Sequence, residues 1–328
     1  MERKMIDTKF YKAINKALDD CLAEDDSVVL LGEDIAQPGG SFKVTAGLFD
    51  RYGDRRVRGT PISEATIVGM SVGAAMGGIK PVVEIMFMDF ITIAMDALVN
   101  QAAKARYMFG GQCSVPMVVR MPHGGGLSAG PQHSQCLEAW FAHIPGLKVV
   151  VPSSVEDAYG LMVAAINDPD PVVFVENKSM YGMKGSMPEQ APPAVIGKAN
   201  VAREGDDVTV VSYGASVHIA MAVAEQLKEQ GTSVEVIDLR SIQPWDEQTV
   251  LESLTKTHRL VVFHEAVEAF GVGAEIVARM ADVGFDELDA PIVRVGAPFM
   301  PVPFAKHLEA QYQPDGKQLL AAINRVMA

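Results

Sequence analysis

The chain has 328 residues, of which 48% are hydrophobic and 21% charged, and it carries 41 acidic against 28 Lys+Arg side chains for a formal charge of −13. At roughly 150 residues per domain, this length and composition suggest two globular domains with ample core. The acidic balance argues against nucleic acid as a main partner.

Residues 7–22 place Phe10, Ile14, Ala17, Leu18, Cys21 and Leu22 at helical spacing, with Asp7 as the expected cap. Residues 27–31 form a short apolar run ending in Gly32-Glu33-Asp34, a buried strand with acids at its carboxyl end. A glycine loop at 38–41 and a short helix at 46–52 follow. A helix then opens at Glu64, with Gly69, Gly73 and Gly77 on one face because their spacing is four. Strands are expected at 81–86, 115–121, 147–151 and 172–176. Helices are expected at 90–107, 134–143 and 155–167. Alternation at this spacing points to a parallel sheet covered on both faces. The proline-containing stretch 186–198 reads as a linker between a first domain, 1–185, and a second, 199–328. The second domain resumes the alternation with strands at 208–213, 233–239, 259–263 and 292–295. Its helices are expected at 217–230, 246–255 and 273–283, with two more at the C-terminus.

Cys21, Cys113 and Cys136 are far apart and show no CxxC spacing, so idle thiols in a reducing compartment are expected. The N-terminus shows no apolar signal-peptide core, and the apolar stretch 67–99 is broken by Lys80, Pro81, Glu84, Asp89 and Asp96. The expectation is a cytoplasmic protein with no membrane partner.

Two side chains stand out chemically. Glu64 sits before the glycine-faced helix in apolar surroundings, where the pKa of a carboxyl should rise, and it suits proton handling. A plain helix-terminal glutamate is the competing reading. His133 follows a mobile glycine loop, His123 to Gln132, at a place where core packing is poor, and it suits acid/base work with Gln132 and Gln135 orienting its ring. His143 and His264 read as structural. Gly69-Met70-Ser71-Val72-Gly73 with His123-Gly124-Gly125-Gly126 imitates a serine hydrolase. In that fold, however, the HGGG loop precedes the nucleophile, whereas here it follows by about 50 residues. Gly271-Val272-Gly273 lacks the third glycine of a dinucleotide fingerprint. Neither a P-loop nor a Gly-Asp-Gly run with a later Asn is present.

At Pro61-Ile62-Ser63-Glu64, and over nearly its whole length, the sequence resembles the β subunit of the decarboxylating component of 2-oxo acid and acetoin dehydrogenase complexes. Further runs carry the resemblance along the chain: Gly32-Glu33-Asp34, Glu84-Ile85-Met86-Phe87-Met88-Asp89-Phe90, Asn100-Gln101-Ala102-Ala103-Lys104, Gln132-His133-Ser134-Gln135, Pro145-Gly146-Leu147-Lys148, Asp238-Leu239-Arg240 and Pro301-Val302-Pro303. It implies an α/β protein with a parallel-sheet pyrimidine-binding domain and a smaller transketolase C-terminal-like domain. It implies thiamine diphosphate shared with an α subunit in a tetramer of two α and two β chains, with Mg²⁺ held by the α subunit. A 2-oxo acid such as pyruvate, or acetoin, would be cleaved, and the acyl group would pass to a lipoyl acyltransferase core. By this resemblance Glu64 hydrogen-bonds the aminopyrimidine N1′ and so drives loss of the thiazolium C2 proton. Ile62, Met86 and Phe90 line the pyrimidine pocket, with Glu33 near it. His133 serves proton transfer during acyl transfer to the lipoyl arm. A structural K⁺ would be held at Met117, Ala165, Ile166, Asp168 and Asp170, although Pro169-Asp170 departs from the common Asn-Asn. Two alternatives remain: a two-subunit thiamine carboligase or decarboxylase outside any lipoyl complex, and a non-catalytic docking subunit.

Overall fold

The structure, a computed structural model, describes residues 4–328. Two compact units divide the chain, and each is described by itself. The first comprises the described residues up to His123 together with Trp140–Ile196; the second comprises Gly124–Ala139 and Gly197–Ala328.

In the first unit, parallel strands run in the order Lys148–Val150, Val172–Asn177, Val118–His123, Lys80–Glu84, Val28–Gly32 and Val57–Gly59. The central strands are almost wholly buried, with apolar runs such as residues 172–175 giving way to Glu84, Arg120 and Glu176 toward their carboxyl ends. The helices Phe10–Glu24 and Val155–Ile166 pack against each other. The first buries Phe10, Ile14, Leu18 and Leu22 at helical spacing. The second is capped by Ser154, whose hydroxyl accepts the Asp157 N–H at 3.0 Å.

Several local expectations are revised. Asp7 does not cap a helix; it lies in the strand Met5–Lys9, which pairs antiparallel with Lys184–Pro188, and its carboxylate accepts the Ser186 hydroxyl. Backbone pairing outcompetes the cap, and the helix begins at Phe10. The stretch expected as a linker is packed within the first unit: Ser186, Met187 and Pro188 are strand residues, and the Ala194 N–H donates to the Gly160 carbonyl at 3.0 Å. Gly160 admits this approach, since an added Cβ would lie 3.1 Å from Ala194 N. The helix expected over 90–107 is a 3₁₀ segment Met88–Ala94, a π-helical segment Asp96–Ala102 and an α-helix Ala103–Met108. The helix expected over 134–143 shortens to Glu138–Ala142.

The second unit holds a five-stranded sheet in the order Val293–Ala297, Leu260–Val267, Val208–Ser212, Val234–Asp238 and Asn200–Arg203. The last strand is antiparallel to its neighbour, and the others are parallel. Ser216–Lys228 and Gly316–Met327 cover one face around Val210, Val236, Phe263, Leu319 and Ile323. The final helix is fixed at its start by a capping box between Asp315 and Gln318.

Candidate active site

At the carboxyl ends of the first unit's strands, where open parallel sheets place their ligands, four carboxylates gather. Glu33 follows the strand Val28–Gly32, Glu84 ends its neighbour, Glu176 lies in Val172–Asn177, and Glu64 opens the helix Glu64–Met76. All four are buried. Arg120, 2% exposed, is a cation among them, and Lys178, also buried, holds its Nζ 5.0 Å from the centre of the Phe87 ring. The Arg120 Nε and Nη2 donate to the two Glu176 oxygens at 2.8 and 2.7 Å, and its Nη1 donates to Glu84. The Tyr181 hydroxyl adds a bond to Glu176 at 2.7 Å. Burial opposes the charge of Arg120, but Glu176 and Glu84 outweigh it and push the pKa above the ordinary value.

Burial first, and then the charges of Glu64, Asp34 and Glu84, raise the pKa of Glu33 above the ordinary carboxyl range. Glu33 and Glu64 are therefore electrostatic neighbours. Burial also raises Glu84, against the pull of Arg120. The glycine loop closes over this group. Gly40 has φ +77°, and a Cβ there would lie 3.3 Å from Glu84 Oε1.

The Glu64 helix starts next to apolar surface that the chain leaves uncovered. Ile62 is 81% exposed, while Met86 and Phe90 are half-buried. Phe90 meets Phe87 edge-on at 5.7 Å, Phe87 meets Phe42 at 5.9 Å, and Phe42 stacks on Tyr181 at 4.8 Å. The aromatic chain and the Arg120 network thus join at Tyr181. Thr60 Oγ1, just before Pro61, is buried without a hydrogen-bond partner among the described residues. Glu64, exposed Ile62, half-buried Met86 and Phe90 and an unpaired hydroxyl fit a flat heteroaromatic ring with polar atoms on its edge. A diphosphate would meet repulsion from the nearby carboxylates, and Arg120 already donates to Glu84 and Glu176. Arg120, Glu176, Tyr181 and Phe42 were not singled out from sequence; a lone Arg inside a buried strand was the available signal.

Ser71 is no nucleophile. It is fully buried within the helix, and its hydroxyl donates to the Ile67 carbonyl at 2.7 Å. On the same helix Gly73 is exposed, with nothing within 4 Å of a Cβ built there, and Met70 and Met76 beside it are 48% and 44% exposed.

The five residues considered for a cation form one corner of the first unit. The Met117 carbonyl accepts Val172 N at 3.0 Å, and the Ala165 carbonyl accepts Asp168 N at 3.3 Å. Ala165 and Ile166 are the last residues of their helix turn. Both Asp168 oxygens accept Lys148 Nζ at 2.6 Å, and Asp170 accepts Arg106 Nη1 at 2.9 Å. These carboxylates already have protein cations. A bound metal ion would draw on the second lone pairs of the backbone carbonyls.

His133 lies in the second unit, half-buried, on the loop that precedes Glu138–Ala142. The loop is held rather than loose. Gly125 N–H donates to Glu265 at 2.8 Å, and Gly126 and Ser128 N–H each donate to Glu309 at 2.9 Å. Beside it lies a cavity of about 480 Å³ lined by Gln132, Ser134, Cys136, Phe299, Met300 and Tyr312, among others. Burial, with Cys136 and Glu265 next, pushes the Tyr312 phenol up to about 12. Glu138 accepts the Tyr213 hydroxyl at 2.8 Å, and Tyr213 stacks on His264 at 5.8 Å. His264 is fully buried and His143 exposed.

Residues 7–184 match the family described as transketolase, pyrimidine binding domain, and residues 197–319 match transketolase, C-terminal domain. A pyruvate dehydrogenase E1 component subunit β-1 of Arabidopsis thaliana is 46% identical over 317 residues, covering 95% of this chain and 87% of the relative. The β subunit of an acetoin:2,6-dichlorophenolindophenol oxidoreductase from Bacillus subtilis is 46% identical over 321 residues, covering 94% of each chain. The chain belongs to the transketolase-like family of dehydrogenase E1 β subunits. A solved split-gene transketolase, described as an inactive β4 tetramer, shares the family fold, with TM-score 0.78 and 23% identity over 96% of this chain and 97% of that one. In family terms, Glu33 and Glu64 lie in the pyrimidine-binding part and His133 within the span of that same match, although its loop packs with the second unit. No helix among the described residues is long and apolar enough to cross a membrane.

Proposed function

We propose that this chain is the β subunit of a thiamine-diphosphate-dependent E1 enzyme that cleaves pyruvate, acetoin or a related 2-oxo acid and works only with an α subunit. The observation that carries the reading is Glu64, buried at the start of its helix beside exposed Ile62, with its charge among the causes that raise the carboxyl of Glu33. Thiamine diphosphate, when bound, supplies the carbanion chemistry. Glu64 would hold a proton at the aminopyrimidine N1′, and Ile62, Met86 and Phe90 would exclude water from the ring. Glu33, whose carboxyl burial and the neighbouring acids raise, lies beside Glu64 in the same cluster. The carboxylate cluster is a poor host for a diphosphate, which supports placing the Mg²⁺–diphosphate end on the partner. His133 moves a proton as the acyl group passes to a lipoyl arm of an acyltransferase core. The pyruvate and acetoin relatives are equally similar at 46% identity, so overall likeness favours neither substrate. A K⁺ ion at the carbonyls of Met117, Ala165 and Ile166, and a cytoplasmic location, complete the proposal.

The deciding experiment is exchange of the cofactor C2 proton in the assembled enzyme. E64Q should bind thiamine diphosphate nearly as well as the wild type but lose roughly 10²–10⁴-fold in exchange rate. Wild-type exchange in E64Q would remove Glu64 from its assigned role.

A further inference from the structure

Glu309 lies on the helix Lys306–Tyr312, remote in sequence from any motif, and is 2% exposed. Its carboxylate has three donors, all from the His133 loop: Gly126 N–H at 2.9 Å on one oxygen, with Ser128 N–H at 2.9 Å and the Ser128 hydroxyl at 3.2 Å on the other. Glu265 does the same one residue earlier, accepting Gly125 N–H at 2.8 Å and the Gln313 side-chain amide at 3.3 Å. The fit is close. A Cβ on Gly125 would lie 2.8 Å from Gln313 Nε2 and 3.2 Å from Glu309 Oε1. Gly130, at φ +77°, lies so near the Phe304 ring that a Cβ would be 2.2 Å from it. The His133 N–H then donates to the Gly130 carbonyl at 3.3 Å. The two carboxylates thus fix residues 125–128, Phe304 crowds Gly130, and Gly130 accepts the His133 N–H five residues after the Ser128 clamp.

Hydrogen bonds from N–H to a carboxylate are stronger than neutral ones. Lifting the loop would leave a buried carboxylate without its donors, which is costly. We propose that Glu309 is a positioning residue: it holds the glycine loop so that His133 is preset for acyl transfer before any partner or acceptor arrives. The proposal rests on the reading of His133 given above. It differs from a merely structural role in its selectivity: acyl transfer should suffer while the steps that depend on Glu64 are spared.

The test uses the enzyme assembled with its α subunit and compares E309A, E309Q and H133A. Three quantities are read: acyl transfer to a free lipoyl domain, substrate oxidation with 2,6-dichlorophenolindophenol as acceptor, and hydrogen exchange at the Gly126 and Ser128 amides. Expected for E309A is a roughly ten- to hundred-fold loss in kcat of acyl transfer, the scale of about 1 Å of misplacement. The KM for the lipoyl domain and the dye-linked rate should stay within about two-fold, and both amides should exchange faster. E309Q keeps the shape and one acceptor oxygen, so it should fall between wild type and E309A. If E309A does not assemble, E309Q alone decides on the same readouts. Equal loss of transfer and dye-linked activity overturns the proposal, as does unchanged transfer in E309Q with H133A impaired. Normal transfer in H133A overturns the reading of His133 and the proposal with it.

Discussion

Arg120 is the residue on which the first unit's polar interior depends. It donates hydrogen bonds to both Glu84 and Glu176, and all three are buried. Removing one partner of such a group leaves uncompensated charge at a cost of about 3–5 kcal/mol. R120M should therefore lower the stability of the chain by about that amount, read as a shift in the urea midpoint at constant slope. A variant as stable as wild type would show that Glu84 and Glu176 adapt by taking up protons. Glu33 and Glu84 already have raised pKa values for the same underlying cause, burial.

At the scale of elements, the Glu64 helix presents two faces of different character. Ile67, Val68, Ser71, Val72 and Ala75 are buried, while Met70, Gly73, Met76 and Gly77 are exposed. Adding a side chain at Gly73 meets nothing within the chain. G73L should thus leave the melting temperature of the isolated chain unchanged or slightly higher, because glycine in a helix costs about 0.5–1 kcal/mol relative to alanine. The same substitution should abolish association with the α subunit, measured by light scattering after gel filtration. A normal assembly from G73L would show that this face is solvent-exposed in the enzyme. Two kinds of glycine thus occur: Gly125 and Gly130 admit neighbours inside a unit, whereas a Cβ at Gly73 meets nothing within 4 Å.

At the scale of the molecule, the chain offers the proposed pyrimidine end of a cofactor site without a plausible diphosphate end. Calorimetric titration of thiamine diphosphate with Mg²⁺ should give no tight binding to the chain alone and clear binding once the α subunit is present. Tight binding to the lone chain would mean that it carries a diphosphate site of its own. Repeating the titration and a thermal melt in KCl and NaCl tests the carbonyl corner at Met117, Ala165 and Ile166. A higher melting temperature in KCl is expected, and equal melting would remove the K⁺ assignment.

The sequence by itself determined the alternation of strands and helices, because apolar runs and helical spacing are local properties. It also determined the helix that opens at Glu64 and the presence of a histidine after a glycine-rich loop. It did not reveal the pairing of Met5–Lys9 with Lys184–Pro188, the short edge strand Val57–Gly59 or the antiparallel Asn200–Arg203. These strands carry little periodicity and are defined by their neighbours. Only the tertiary structure decided that the glycine loop is clamped and that a lone buried arginine serves two glutamates. Arg120 and Glu176 lie 56 residues apart, and Ser128 and Glu309 lie 181 apart. Hydrogen bonds over such separations exist only once the sheet ends and helices are placed, and no local pattern of residues encodes them.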